Sequence, residues 1–304
     1  MGQQEPSPVP RCLKRRSAMK SRYCVIGSPV AHSRSPKLFD EIFCERGLSE
    51  SCEYVINEIK TQAELESFFE EMRSGAWAGC NVTMPWKSEV MRYVDQATEQ
   101  AKRTNCANTI RRNPDGTLSA HTTDGAGMLR AVREALTEEA VQDAKASGPR
   151  HLHELSTLIL GAGGAARSIV AEMINQNMHN LRIAARSSAN RDMMRALIEE
   201  EIVNDKIFID YDDNEAIKKA VSEADLVINC TPLGMAPQEN KLPIPKTAKF
   251  KDGAIVADVV YNPMETLFLK EAKKQKCICV PGIKMLEGQA LEGADFFFGR
   301  RQID

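Results

Sequence analysis

No stretch of this 304-residue chain is long and apolar enough to cross a bilayer: the longest apolar runs fall under about ten residues, where a spanning helix needs roughly 20. Charge of one sign is not in excess either, since 40 Lys and Arg stand against 42 Asp and Glu for a net of −2. That balance argues against nucleic acid or an anionic membrane as the main partner. A disulfide framework is missing as well. The nine cysteines, at 12, 24, 44, 52, 80, 106, 230, 277 and 279, are odd in number and scattered through apolar stretches, which fits a reducing, cytoplasmic setting. Cys277 and Cys279 are the only close pair; strand alternation puts both on one face, the pattern of a buried core and not of a metal site. What remains is 42% hydrophobic and 27% charged, the composition of an ordinary globular protein, and long enough for two compact units.

Residues 1–22 carry six basic side chains against Glu5 alone, so this arm is +5 and the rest of the chain −7. With Pro6, Pro8 and Pro10 and no apolar periodicity, the arm reads as a disordered basic tail. It lacks the apolar stretch of a secretory signal, while its basic, acid-poor start leaves organellar targeting as an alternative. From Tyr23 onward short apolar runs at 23–26, 53–56 and 78–82 alternate with amphipathic ones, the third followed by a helix opening near Pro85. This is the signature of parallel strands joined by crossover helices. Extended pieces at 105–110 and 116–121 flank a turn cluster at 113–116 and predict a hairpin. Asp124 then starts a long helix. After a charged loop at 137–155, six strand candidates follow at 156–160, 181–185, 207–211, 226–229, 254–260 and 277–280. The last helix, 286–298, has no strand after it and is free to pack back on the first unit.

A glycine turn, Gly161-Ala162-Gly163-Gly164-Ala165-Ala166, follows the first strand of the second series and opens a helix. Gly161 permits the turn, Gly163 lets a pyrophosphate approach the backbone, and the helix N-terminus supplies N–H groups for it. The third glycine of the usual pattern is Ala166. The context of strand, turn, helix and a further strand marks a Rossmann-type dinucleotide site. Where an NAD enzyme places an acid for the ribose, this chain has Arg186, with Ser187 and Arg191 behind it. A guanidinium there suits the adenosine 2′-phosphate of NADP, with NAD the alternative if Arg186 is only a solvated surface residue. Thr231, in the Asn229 to Met235 segment, leaves a strand at its carboxyl end and faces the same crevice.

Three polar clusters stand out in the first unit: Ser28 to Pro36, Asn81 to Lys87, and Asn108-Thr109 with Thr123-Asp124-Gly125. Each has a plain explanation in part. Ser35 before Pro36 reads as a helix N-cap, and Asp124 as the cap of its own helix. Lys87 fits least, because a cation in the opening turn of a helix meets an unfavourable field that eases loss of its proton. It is therefore a candidate acid/base, with Asp124 as the partner that holds it.

From Tyr23 to Phe298 the chain resembles the shikimate/quinate dehydrogenase family. The resemblance is carried by seven ordered motifs: Ser33-x-Ser35-Pro36, Asn81-Val82-Thr83-x-Pro85-x-Lys87, Ala107-Asn108-Thr109, Thr123-Asp124-Gly125, the Gly161 turn, Asn229-x-Thr231-Pro232-x-Gly234-Met235, and Tyr261-Asn262-Pro263 with Gly282 to Gln289. It implies an α/β fold in two parts: a substrate-binding catalytic domain over 23–125, with helix 283–299 packing back on it, and an NADP-binding Rossmann domain over 126–282. It implies Lys87 and Asp124 as the catalytic pair, and Ser33, Ser35, Asn81, Thr83, Asn108, Tyr261 and Gln289 around a small cyclic polyol carboxylate. Gly161 to Ala165, Arg186, Ser187, Arg191, Thr231, Gly282 and Met285 would lie along the cofactor. The family's His-Asn is Phe39-Asp40 here, its Asn before Thr123 is Thr122, and its Asn-Arg-Thr is Ala185-Arg186-Ser187. The first departure reads as packing, the second alters the catalytic neighbourhood, and the third keeps the arginine. The expected reaction is reversible hydride transfer between shikimate and 3-dehydroshikimate by a monomer or homodimer. Quinate preference and a metabolite-sensing relative without activity are the alternatives.

Overall fold

A computed structural model describes residues 20–142, 151–198 and 207–299. The predicted basic arm falls outside them apart from its last three residues, of which Ser21 and Arg22 are not a tail but the start of the first strand, paired with Cys52 and Glu53; part of the predicted loop at 137–155 falls outside them as well. The first part of the chain runs β1 (Ser21–Gly27), α1 (Ser35–Glu45), β2 (Cys52–Glu58), α2 (Gln62–Ser74), β3 (Gly79–Val82), β4 (Gln96–Ala97), α3 (Glu99–Thr104), β5 (Thr109–Arg112) and β6 (Leu118–His121). They form one sheet in the order β2-β1-β3-β5-β6-β4. β1 pairs parallel with β2 and β3, and β5 runs antiparallel to both β3 and β6. Alternation along β1 sorts its side chains between two cores: Cys24 and Ile26 face Leu65, Phe68 and Phe69 of α2, while Tyr23 and Val25 face Phe39 and Phe43 of α1.

A long helix, α4 (Asp124–Gln142), leads to the second part: β7 (Thr157–Leu160), α5 (Gly164–Asn175), β8 (Leu181–Ala185), α6 (Ser188–Ile198), β9 (Phe208–Asp210), α7 (Asn214–Glu223), β10 (Leu226–Asn229), β11 (Ile255–Asp258), α8 (Leu267–Lys274), β12 (Ile278–Val280) and α9 (Gly282–Phe297). All six strands are parallel, in the order β12-β11-β10-β7-β8-β9. This is the doubly wound order of a Rossmann fold, with its crevice at the carboxyl ends of β7 and β10, where the strand order reverses. β7, β10 and β11 are buried along their whole length because helices cover both faces. Cys277 and Cys279 share one face, as expected, and pack half-buried beside Phe268 and Val256.

α9 does not stay with the second sheet. Its Ala290, Ala294 and Phe297 join Tyr23, Phe39 and Phe43 on the first sheet, which carries Gln289 to the carboxyl end of β1. α5 ties the two parts from the other side. A Cβ on Gly125 would fall 2.3 Å from the Ser168 carbonyl, so only glycine lets the start of α4 approach α5 this closely. The Ser168 hydroxyl accepts the Gly125 N–H at 3.0 Å and pairs with Thr122 Oγ1 at 2.8 Å.

Three local expectations are corrected. The helix predicted near Pro85 is a turn followed by a 3-10 segment, Glu89–Arg92. The Lys87 carbonyl is taken by the Ala107 N–H at 2.9 Å, so it cannot continue an α-helix. Ser35 is not an N-cap but the first residue of α1; the Ser33 hydroxyl accepts its N–H at 3.2 Å. α9 begins four residues before the predicted start, at Gly282. β4 and α3 had no counterpart in the periodicity.

Candidate active site

Ser33 enters from the loop between β1 and α1 and Ser35 from the first position of α1, Asn81 and Thr83 from the end of β3, and Lys87 from the turn beyond it. Asn108 precedes β5, Tyr261 follows β11, and Gln289 projects from α9. These eight polar side chains line one cleft, backed by the apolar Val25, Val82, Leu286 and Ala290. Such a mixture suits a small, hydroxyl-rich ligand.

Asp124 stands behind Lys87. The Asp124 side chain is buried, at 1% exposed, and its carboxylate accepts from Nζ of Lys87, whose side chain is 19% exposed. Asn108 Nδ2 donates to the other carboxylate oxygen at 2.8 Å and to Thr123 Oγ1 at 3.0 Å, and Asn108 Oδ1 accepts the Thr123 N–H at 2.9 Å. Asp124 therefore orients the lysine instead of capping α4. Burial pulls the Lys87 pKa down, but the Asp124 carboxylate, helped by Cys106 and Tyr261, outweighs it and the net shift is upward. The expectation that Lys87 sheds its proton easily is thus corrected: no α-helix begins at this turn, and the nearest full charge is an acid. The Tyr261 phenol is also pushed up, by burial against the opposing effects of the Ser33 hydroxyl and Lys87. Gln289 Oε1 is buried in the cleft wall without a hydrogen-bond partner.

The glycine turn adjoins this cleft. Gly161 holds φ at +104°, and a Cβ on Gly164 would sit 3.9 Å from the Lys87 side chain. Gly163 caps α5 with no side chain of its own over the first amides, and Ala162 is buried while Ala165 is partly open. Arg186 is exposed beyond β8, its guanidinium 5.2 Å above the Tyr211 ring. Arg191 Nη2 donates to the Ala185 carbonyl at 2.7 Å, leaving its buried Nε unpartnered. The Ser187 hydroxyl accepts the Asn190 N–H at 3.3 Å. The Thr231 hydroxyl is turned inward, donating to Asn229 Oδ1 at 2.7 Å. Gly282 and Met285 are buried, Gly282 against the Val260 carbonyl, and so stand apart from the exposed residues of this set.

Several residues that the motifs did not single out hold the site together. Arg167, 3% exposed, reaches from α5 to the Thr104 carbonyl at 2.9 Å and to Ser88 Oγ at 3.1 Å, beside Lys87. Asp258 is fully buried at the end of β11. Its Oδ1 accepts from Asn229 Nδ2 and the Val260 N–H, each at 2.9 Å, and its Oδ2 accepts from Thr266 Oγ1 at 2.7 Å. Burial still lifts this carboxyl to about 6, against the three bonds. An acid inside an apolar strand and an arginine inside an apolar helix were the available signals. Phe39 stacks flat on Tyr54, with ring centroids 4.2 Å apart, consistent with a packing role for the first departure from the family pattern.

Residues 25–110 match the shikimate dehydrogenase substrate binding domain. A shikimate dehydrogenase (NADP(+)) of Alkaliphilus oremlandii (strain OhILAs) is 34% identical over 266 residues, covering 88% of this chain and 87% of that protein. Among solved structures, shikimate 5-dehydrogenase from Listeria monocytogenes, in complex with shikimate and NAD, aligns with a TM-score of 0.79 at 26% identity over 97% of this chain and 96% of that one. The shikimate 5-dehydrogenase of Thermus thermophilus, in complex with NADP(H) and shikimate, gives 0.75 at 25% identity, over 93% and 95%.

Proposed function

Since the chain belongs to the shikimate dehydrogenase family, we propose that it interconverts shikimate and 3-dehydroshikimate with NADP as the hydride partner, through the Lys87 and Asp124 pair. One observation carries this reading: the paired lysine lies both in a cleft lined by neutral hydroxyls and amides and against Gly164 of the dinucleotide turn.

The residues fit the cofactor. No atom lies within 4 Å of where a Cβ on Gly163 would be, so a pyrophosphate has room against the first amides of α5. Arg186 and Ser187 are exposed where the adenosine 2′-phosphate would lie, and the orphan Nε of Arg191 is a further donor nearby. Bound there, NADP(H) supplies the hydride acceptor or donor. Lys87 handles the proton: as an amine it takes the hydroxyl proton of the alcohol, and as an ammonium it returns a proton to the developing alkoxide. Because its pKa is raised, the resting state is the ammonium, ready for the reductive direction. Asp124 holds the lysine in place and stabilises that charge. Ser33 and Ser35 offer hydroxyls to the carboxylate, while Thr83, Asn81, Asn108, Tyr261 and Gln289 surround the ring.

We divide the chain accordingly into a substrate domain over 23–125, completed by the returning α9, and an NADP domain over 126–282. The eight described cysteines are all free thiols, which supports a cytoplasmic site of action. No helix among the described residues is long and apolar enough to cross a membrane. Initial rates with shikimate and with quinate, each with NADP and with NAD, test the reading. The expected result is the highest kcat/KM for shikimate with NADP; a preference for quinate or NAD would overturn that part, and no turnover with any pair would overturn the whole.

A further inference from the structure

Asn81 has nearly all its hydrogen-bonding capacity filled from within the protein. Its Nδ2 donates to the Asn108 carbonyl at 3.2 Å and to Thr109 Oγ1 at 3.0 Å, and its Oδ1 accepts from the Tyr54 hydroxyl at 2.7 Å. An amide has two N–H hydrogens and two oxygen lone pairs, so a ligand in the cleft meets Asn81 only as an acceptor. The amide cannot turn round, because that would set its oxygen against a backbone carbonyl. In the observed orientation Tyr54 anchors the oxygen end of the amide. It belongs to β2, is 5% exposed and does not line the cleft, and its ring lies against Phe39.

We propose that Tyr54 is a positioning residue that sets the hydrogen-bond polarity of the substrate site, fixing Asn81 as an acceptor so that the site selects a ring hydroxyl able to donate. The proposal rests on the cleft being the shikimate site. The unpartnered Gln289 Oε1 is a second oxygen without a donor in the same wall.

The test begins with the unmodified enzyme and shikimate analogues in which the hydroxyl at carbon 4 or carbon 5 is replaced by hydrogen or by fluorine. Fluorine approximates the oxygen in size but donates nothing. At one of the two positions both replacements are expected to raise KM equally, by roughly three- to tenfold, the worth of one neutral hydrogen bond. Tyr54→Phe keeps the ring on Phe39 and removes one oxygen. It should raise KM for shikimate by a similar factor, with kcat within about twofold and KM for NADP unchanged. In an Asn81→Ala background it should add nothing, because the two residues act through one contact. Fluoro analogues that bind as well as shikimate at both positions would overturn the proposal. So would a Tyr54→Phe effect that is undiminished in the Asn81→Ala background, which would mark Tyr54 as merely structural. Should Tyr54→Phe fail to fold, the fluoro series decides alone. An unmodified enzyme inert towards shikimate would overturn the reading of the cleft itself, a result none of the other arms can give.

Discussion

Asp258 gives a stability prediction whose sign and size both follow from its surroundings. In the folded chain burial lifts its carboxyl from 3.8 to about 6, and the unfolded chain returns it to 3.8. Between those values the native state binds a proton that the unfolded state has released, so the contribution of this group to stability falls as pH rises. At about 1.4 kcal/mol for each tenfold change in proton affinity, the full penalty above pH 6 is about 3 kcal/mol. Roughly 2 kcal/mol of it accrues between about pH 4.5 and pH 7.5. Asp258→Asn removes the titration while keeping an oxygen for Asn229 and Val260 and turning an N–H towards Thr266. Urea unfolding of both proteins across that range cancels every other carboxylate in the difference. The variant should gain on the parent by about 2 kcal/mol as pH rises, whatever constant offset the altered Thr266 contact introduces. A difference that stays flat, or one that shrinks with rising pH, would refute the account of a carboxyl raised by burial.

Lys87→Ala should lower kcat by roughly 10² to 10⁴ with the melting temperature and NADP binding nearly intact, and a kcat within about threefold of the parent would remove it from the proton transfer. Because the Lys87 pKa is raised and oxidation needs the free amine, the rate of shikimate oxidation should keep climbing through the alkaline range while reduction holds until the ammonium is lost; an oxidation plateau at neutrality would contradict the pairing with Asp124. Arg186→Ala should weaken NADP more than NAD by about 1.5 to 3 kcal/mol, measured by titration of each cofactor, and equal losses would show that it meets no phosphate.

Strand positions in both sheets were legible, because parallel strands under helices read as short apolar runs and the crossovers as amphipathic ones. The ordered polar motifs also led to the residues that line the cleft, and the glycine turn opens a helix as its context indicated. Short elements were not legible: β4 has two residues and α3 six, too few to show a period. Nor was the state of Lys87, which depends on a carboxylate 37 positions away and not on its own helical context. Arg167 and Tyr54 were missed for a related reason. Arg167 stands out only as a charge in an apolar helix and Tyr54 reads as packing in a strand, and only the folded chain shows what their polar ends reach.

The contact of Arg167 with Thr104 and Ser88 has a mechanical consequence. It bolts the helix that begins at the nucleotide turn to the segment that carries Lys87, at the floor of the cleft. Sliding one half of the molecule over the other would strand a buried guanidinium, a loss of two hydrogen bonds from a charged group. Rocking about that floor as a fulcrum leaves the bolt in place. The bolt thereby ties the separation of lysine and glycine turn to one buried charge, as a pin sets the short arm of a lever.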